Sequence, residues 1–331
     1  MKPRHLFTAL ALCVTAASTA TAATTWTMAS GYPESNFFTQ NIREFIKEVE
    51  TKSQGRLKID LRSNDTLIKH DAIKRAVQSG QVPIGEIRLG VYGNEGQMYI
   101  LDALPNIASN YEEEALLTQA QKPYFSELFG KNGMRVLTYV PWPGQGFYTK
   151  APVKTVADFK GQRLRIYSAP TQKMGDMLGF QSTILPFAEI SQAFATGMIE
   201  ALFTSAQTGT DVQAWENTKY FTYTGSMHNK NAIIVNQAAL SRLDKDVQQI
   251  VIEAGEHATA RGRELSKKAN SDKVDVLRSK GMVVEDASPA IQAELKKVGE
   301  TMIAEWRQSA LPAEQKVLDN YLKARSQVAP K

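Results

Sequence analysis

Residues 25–62 read TWTMASGYPESNFFTQNIREFIKEVETKSQGRLKIDLR, and their pattern decides the class of fold. Residues 25–29 read as a strand, and Gly31-Tyr32-Pro33 turns the chain. Phe37, Phe38, Ile42, Phe45, Ile46 and Val49 then recur on one face of a helix expected over about 36–52. Leu57, Ile59 and Leu61 alternate with polar residues, the period of a half-buried strand over 56–62. Strand, helix, strand in this order predicts an α/β layer built from parallel βαβ units.

Working outward, the same alternation continues. A helix is expected over 69–79 before the stop at Gly80, a strand over 82–90, a helix over 112–129 and a strand over 135–139. Pro141-Trp142-Pro143-Gly144-Gln145-Gly146 breaks regular structure and marks a first crossing between two lobes. A second set follows: strand 163–167, helix 171–178, strand 182–185, helix 189–196 and strand 201–204. Residues 232–235 read as a strand leading back towards the first lobe. Val247, Ile250, Val251, Ala254 and Ala258 open a helical pattern over 244–280. At 1.5 Å per residue it would reach about 54 Å, longer than one small lobe, so it is expected to bridge both, with Gly255 and Gly262 as the points where it could kink.

The N-terminus bounds the cellular setting. Lys2, Arg4 and His5 precede an apolar run over 6–14, and Ala20-Thr21-Ala22 has the small residues of a cleavage site, so residues 1–22 are expected to be a signal peptide that is removed on export to the periplasm. The run is far short of the roughly 20 residues a membrane span needs. Cys13 is the only cysteine and falls within that segment, which excludes disulfides and thiolate chemistry from the mature chain. Lipid attachment at Cys13 is disfavoured by the bulky Leu12 before it. About 309 residues then remain, enough for two domains. The expected division gives 23–146 with about 236–270 to the first lobe, and 147–235 with about 271–331 to the second.

The formal charge of +5 falls to +3 without Lys2 and Arg4, and the positive residues are scattered, so nucleic acid is not an expected partner. His70, His228 and His257 show no paired metal-ligand spacing, Gly-x-Ser-x-Gly is absent, and Gly144-Gln145-Gly146 is too short for a phosphate loop. No metal, cofactor or catalytic residue is predicted. Glu86, Glu95, Asp102, Asp176, Glu189 and Glu200 are read as caps or solvated charges, and a periplasmic enzyme using paired carboxylates is a remote alternative.

Val156-Ala157-Asp158-Phe159-Lys160-Gly161-Gln162-Arg163-Leu164-Arg165-Ile166 is followed by Leu185-Pro186-Phe187-Ala188-Glu189-Ile190 and by 193–201, AFATGMIEA. Together with Gln78-Ser79-Gly80, Ala103-Leu104-Pro105 and 243–248, this series resembles the solute-binding proteins of tripartite ATP-independent periplasmic (TRAP) transporters over nearly the whole mature chain. The resemblance implies a non-enzymatic receptor: two α/β lobes that close on a small organic acid, a long helix bridging them, and delivery to TRAP membrane subunits. A monomer is the default for such a receptor.

Arg165 matches the arginine that clamps the ligand carboxylate in that family, a role suited to a rigid, permanently charged fork of donors. Thr204 stands where relatives often carry an asparagine, with Phe203 and Ser205 flanking it. Gln145 stands near the second arginine of sialic-acid-binding relatives, which argues against that ligand. Arg88 aligns with a first-lobe position that faces the ligand, and Tyr32 is expected to join it on closure. Trp142, Tyr148, Tyr167, Phe187, Phe203 and Trp215 form an aromatic set around the expected crevice. Scarce hydroxyl-reading groups favour a hydrophobic or aromatic monocarboxylate such as a 2-oxo acid, with a dicarboxylate or sugar acid as the alternative.

Overall fold

A computed structural model describes residues 23–328, so the expected signal segment lies outside the described residues. Two mixed sheets, each flanked by helices, form two lobes. The first contains β1 (Thr24–Ala29), β2 (Leu57–Arg62), β3 (Ile84–Arg88), β4 (Met134–Val136) and β5 (Val140–Pro141). The second contains β6 (Gln145–Thr149), β7 (Arg163–Ile166), β8 (Gln181–Ile184), β9 (Ala201–Ser205) and β10 (Tyr220–Tyr223). Each gains one late strand: β11 (Lys230–Asn236) joins the first and β12 (Val283–Asp286) the second.

The orders are β2-β1-β3-β11-β4, with β5 also on β11, and β12-β10-β6-β9-β7-β8. The βαβ units foreseen from the alternation are present in β1 with β2 and in β7 with β8 and β9, all parallel. The sheets as wholes are mixed, because β11 runs antiparallel to β3 and β4, and β6 runs antiparallel to β9 and β10.

The expected division into lobes needs correction at two places. β11 was placed within the second-lobe segment 147–235, yet all seven of its residues are buried in the first sheet. The return crossing is therefore 224–229. The C-terminal segment 271–331 was assigned whole to the second lobe, but only its earlier part belongs there, β12 pairing with β10 and helix Pro289–Ser309 packing against helix Ala169–Met177. Helix Pro312–Val328 lies against helix Tyr111–Lys131 of the first lobe, where Glu314 accepts from Tyr124 Oη at 3.0 Å and from the Met98 amide at 2.9 Å.

The bridging helix Lys245–Ser279 is continuous over 35 residues. Val247, Val251, Ala254 and Ala258 pack in the first-lobe core with Trp26, Phe45 and Ile59, whereas Leu277 packs in the second with Tyr148, Phe221 and Met282. Gly255 and Gly262 do not split it. A Cβ on Gly255 would lie 2.7 Å from the Leu137 carbonyl oxygen, and one on Gly262 would lie 2.6 Å from a Val140 methyl. Their bare backbone lets the helix press against the chain leaving the first lobe.

Candidate functional site

The cavity between the sheets is lined by Tyr32, Arg88, Trp142, Gln145, Arg165, Tyr167, Phe187, Thr204, Thr208 and Asn229. Its enclosed volume is only about 20 Å³, room for about one water molecule, so a ligand enters only when the walls part. It lies beyond the ends of β3, β7 and β9, the crevice position that open α/β sheets favour. Eight of the twelve residues singled out from sequence meet here.

Phe203 and Ser205 do not line the cavity, because alternation along β9 sends Thr204 to one face and its neighbours to the other. Phe203 is fully buried in the second-lobe core, its ring 4.8 Å from that of Phe147. Ser205 caps helix Ala206–Asp211, its Oγ accepting from the Thr208 amide at 3.3 Å. Tyr148 stacks on Phe221 at 4.4 Å, and Trp215 packs at the edge of the same core. Thr208 and Asn229 were missed. Thr208 sits on the short helix that Ser205 caps, and Asn229 sits in the irregular crossing 224–229, so neither carries a periodic signal.

Arg165 is 1% exposed. Its Nε donates to the Leu185 carbonyl at 3.0 Å, and the guanidinium lies 5.7 Å from the Tyr167 ring centre. Arg88 approaches the same ring from the first lobe at 5.2 Å and donates through Nη2 to the Tyr167 carbonyl at 3.1 Å. Among the described residues neither guanidinium forms an ion pair, and Arg88 Nε has no hydrogen-bond partner. Burial, and then the charge of Arg88, push the Arg165 pKa down to about 9. A buried and a half-buried cation without a counter-ion are costly, and an anion between them relieves both the desolvation and the mutual repulsion.

The aromatic wall is held from behind. Trp142 Nε1 donates to Asn231 Oδ1 at 2.8 Å, and Asn231 Nδ2 donates to Tyr32 Oη at 3.4 Å and to Glu86. Glu86 is buried and also accepts from Ser30 Oγ at 3.1 Å, with His70 Nε2 3.2 Å away. Burial alone would raise its pKa, but His70, Asn231 and Ser30 outweigh it and hold the carboxyl below its usual value. The reading of Glu86 as a cap or solvated charge is thus replaced by that of a buried anchor. Tyr32 meets Trp142 edge-on at 5.1 Å and Phe187, from the opposite lobe, at 5.6 Å.

The family described as "Bacterial extracellular solute-binding protein, family 7" (DctP) matches residues 28–309. The chain belongs to this family. It is a TRAP-type solute receptor and not an enzyme, in keeping with the fingerprint around Arg165. The receptor is similar to two solved structures from Bordetella pertussis described as extracytoplasmic solute receptors binding pyroglutamic acid. DctP7 is 39% identical, covers 90% of this chain and 99% of its own, and superposes with a TM-score of 0.88. DctP6 is 38% identical over 91% and 100%, with a TM-score of 0.89. A TRAP solute-binding protein from a marine metagenome, specific for pyroglutamate, is 33% identical over 91% and 99%, with a TM-score of 0.88. No helix among the described residues is long and apolar enough to cross a membrane.

Proposed function

We propose that the receptor works in the periplasm, after loss of residues 1–22, capturing a small monocarboxylate by lobe closure and delivering it to TRAP membrane subunits. Pyroglutamate is the first candidate. The observation that carries this reading is Arg165, buried, charged and facing a small cavity without an acidic partner. Its fork of donors suits a carboxylate bound bidentately. Trp142, Tyr32, Tyr167 and Phe187 supply the apolar wall expected around a compact ring, and the ligands of three relatives above 30% identity agree with it. A dicarboxylate is the second reading, favoured by Arg88 as a second cation.

Thermal unfolding with pyroglutamate, aromatic 2-oxo acids, C4-dicarboxylates and hexuronates side by side tests the proposal. The expected result is a melting point that rises with pyroglutamate concentration, as ligation of the folded state requires. Arg165→Ala should weaken its binding by about 2 kcal/mol or more, the usual cost of removing one partner of a buried charged contact. Stabilisation only by dicarboxylates or neutral sugars overturns the assignment.

A further inference from the structure

Two side-chain amides line the cavity, and each is tied at one end. Asn229 is 2% exposed. Its Oδ1 accepts from Tyr167 Oη at 3.2 Å, while its Nδ2 is buried without a partner. Burial raises the Tyr167 pKa, so the phenol keeps its proton. The phenol's other neighbour is Met227 Sδ at 3.4 Å, a weak acceptor, which leaves the amide oxygen as the proton's place. Gln145, 3% exposed, is tied the other way: its Nε2 donates to the Pro143 carbonyl at 2.8 Å, and its Oε1 has no partner among the described residues. Asn229 thus has a spare donor and Gln145 a spare acceptor.

We propose that Gln145 and Asn229 form an amide-reading pair that sets the receptor's specificity. Asn229 Nδ2 donates to a ring carbonyl oxygen and Gln145 Oε1 accepts from the adjacent ring N–H of a lactam whose carboxylate rests on Arg165. Tyr167 is a positioning residue that prevents the Asn229 amide from turning over. The inference rests on the monocarboxylate reading above and deepens it from small acids in general to cyclic-amide acids. The pattern of one donor and one acceptor is what a lactam complements, and a site so built leaves a buried group unpaired when the ligand lacks either half.

Affinities of three acids separate the two halves: pyroglutamate, 3-oxocyclopentanecarboxylate, which keeps the carbonyl but lacks the N–H, and cyclopentanecarboxylate, which lacks both. Calorimetry on the unaltered receptor should rank them in that order, with about tenfold between steps. Asn229→Ala should collapse the second step and keep most of the first, and Gln145→Ala should do the reverse. Tyr167→Phe should shrink the second step. Each readout is a ratio within one variant, so a partly unfolded preparation does not mimic it, and Asn229→Asp, which removes the donor at nearly constant shape, repeats the Asn229 test. Equal binding of all three acids by the unaltered receptor overturns the pair while leaving the monocarboxylate reading intact. Variants that weaken all three acids by one common factor also overturn it. Failure of all three acids to bind overturns the pair, and failure of the aromatic 2-oxo acids as well overturns the monocarboxylate reading.

Discussion

Arg88, at the end of a first-lobe strand, donates to the backbone carbonyl of Tyr167 in the second lobe at 3.1 Å, and so joins the two walls of the cavity directly. Asn36 makes a second such contact, donating to Asp211 at 2.8 Å. Both bonds exist only with the lobes together, so each biases the open–closed equilibrium that a ligand would shift.

Arg88→Gln should therefore enlarge the ligand-free molecule as measured by small-angle X-ray scattering, and weaken ligand binding about tenfold, the effect of a hydrogen bond to a charged group. Unchanged scattering together with unchanged affinity would show that the contact does not contribute to closure.

Phe203 and Thr204 are neighbours with opposite consequences. Phe203→Ala empties a core site beside Phe147 and should cost about 3–5 kcal/mol in chemical denaturation. Thr204→Val keeps the volume and removes a hydroxyl facing the cavity, so its main expected effect is on affinity, by up to about 1.5 kcal/mol. Loss of stability from Thr204→Val with unchanged affinity would contradict the placement of the two side chains.

Glycines in helices separate packing from propensity. Gly255→Ala gains about 1 kcal/mol of helix propensity but drives a Cβ against the Leu137 carbonyl, so a net loss of about 1–3 kcal/mol is expected. Gly130, with no atom within 4 Å of a built Cβ, should gain up to about 1 kcal/mol on the same change. Urea titrations of the two variants check the contrast in sign.

His228 ties the two crossings together, its Nδ1 3.1 Å from the Trp142 carbonyl oxygen and its ring 4.7 Å from that of Tyr111. Burial, opposed by the Trp142 carbonyl, pushes its pKa down from 6.5 to about 4. The depressed value means that the folded state holds a neutral ring while the unfolded chain takes up a proton. Its contribution to stability is thus complete above pH 6.5 and is lost as the pH falls to about 4, by at most about 3 kcal/mol. His228→Gln should flatten unfolding free energy against pH across that window; an unaltered slope would assign it to other groups.

Much of the α/β alternation could be read in the sequence because burying one face of a helix or strand writes its period into neighbouring residues. The helix Phe37–Lys52, the strand Leu57–Arg62 and the bridging helix are of this kind. β6 carries no alternation, because Gln145–Thr149 is buried at every position, and its first two residues fall within the stretch 141–146 that reads as a break. β11 was found but placed in the wrong lobe, since a strand's period states that it is buried and not in which sheet.

The same division runs through the site. The sequence by itself determined two α/β lobes and a long bridging helix, because backbone period is a local property, and its resemblance to the family marked Arg165 as a candidate anion clamp. Only the tertiary structure decided that Arg88 and Arg165 share one aromatic ring without an acidic partner, that Phe203 and Ser205 turn away, and that Asn229 and Gln145 face the cavity with opposite ends of their amides unpartnered. Such relations join residues up to 199 positions apart, as Asn231 and Tyr32 are in the aromatic wall, and they exist only where folding brings separate strands and crossings together.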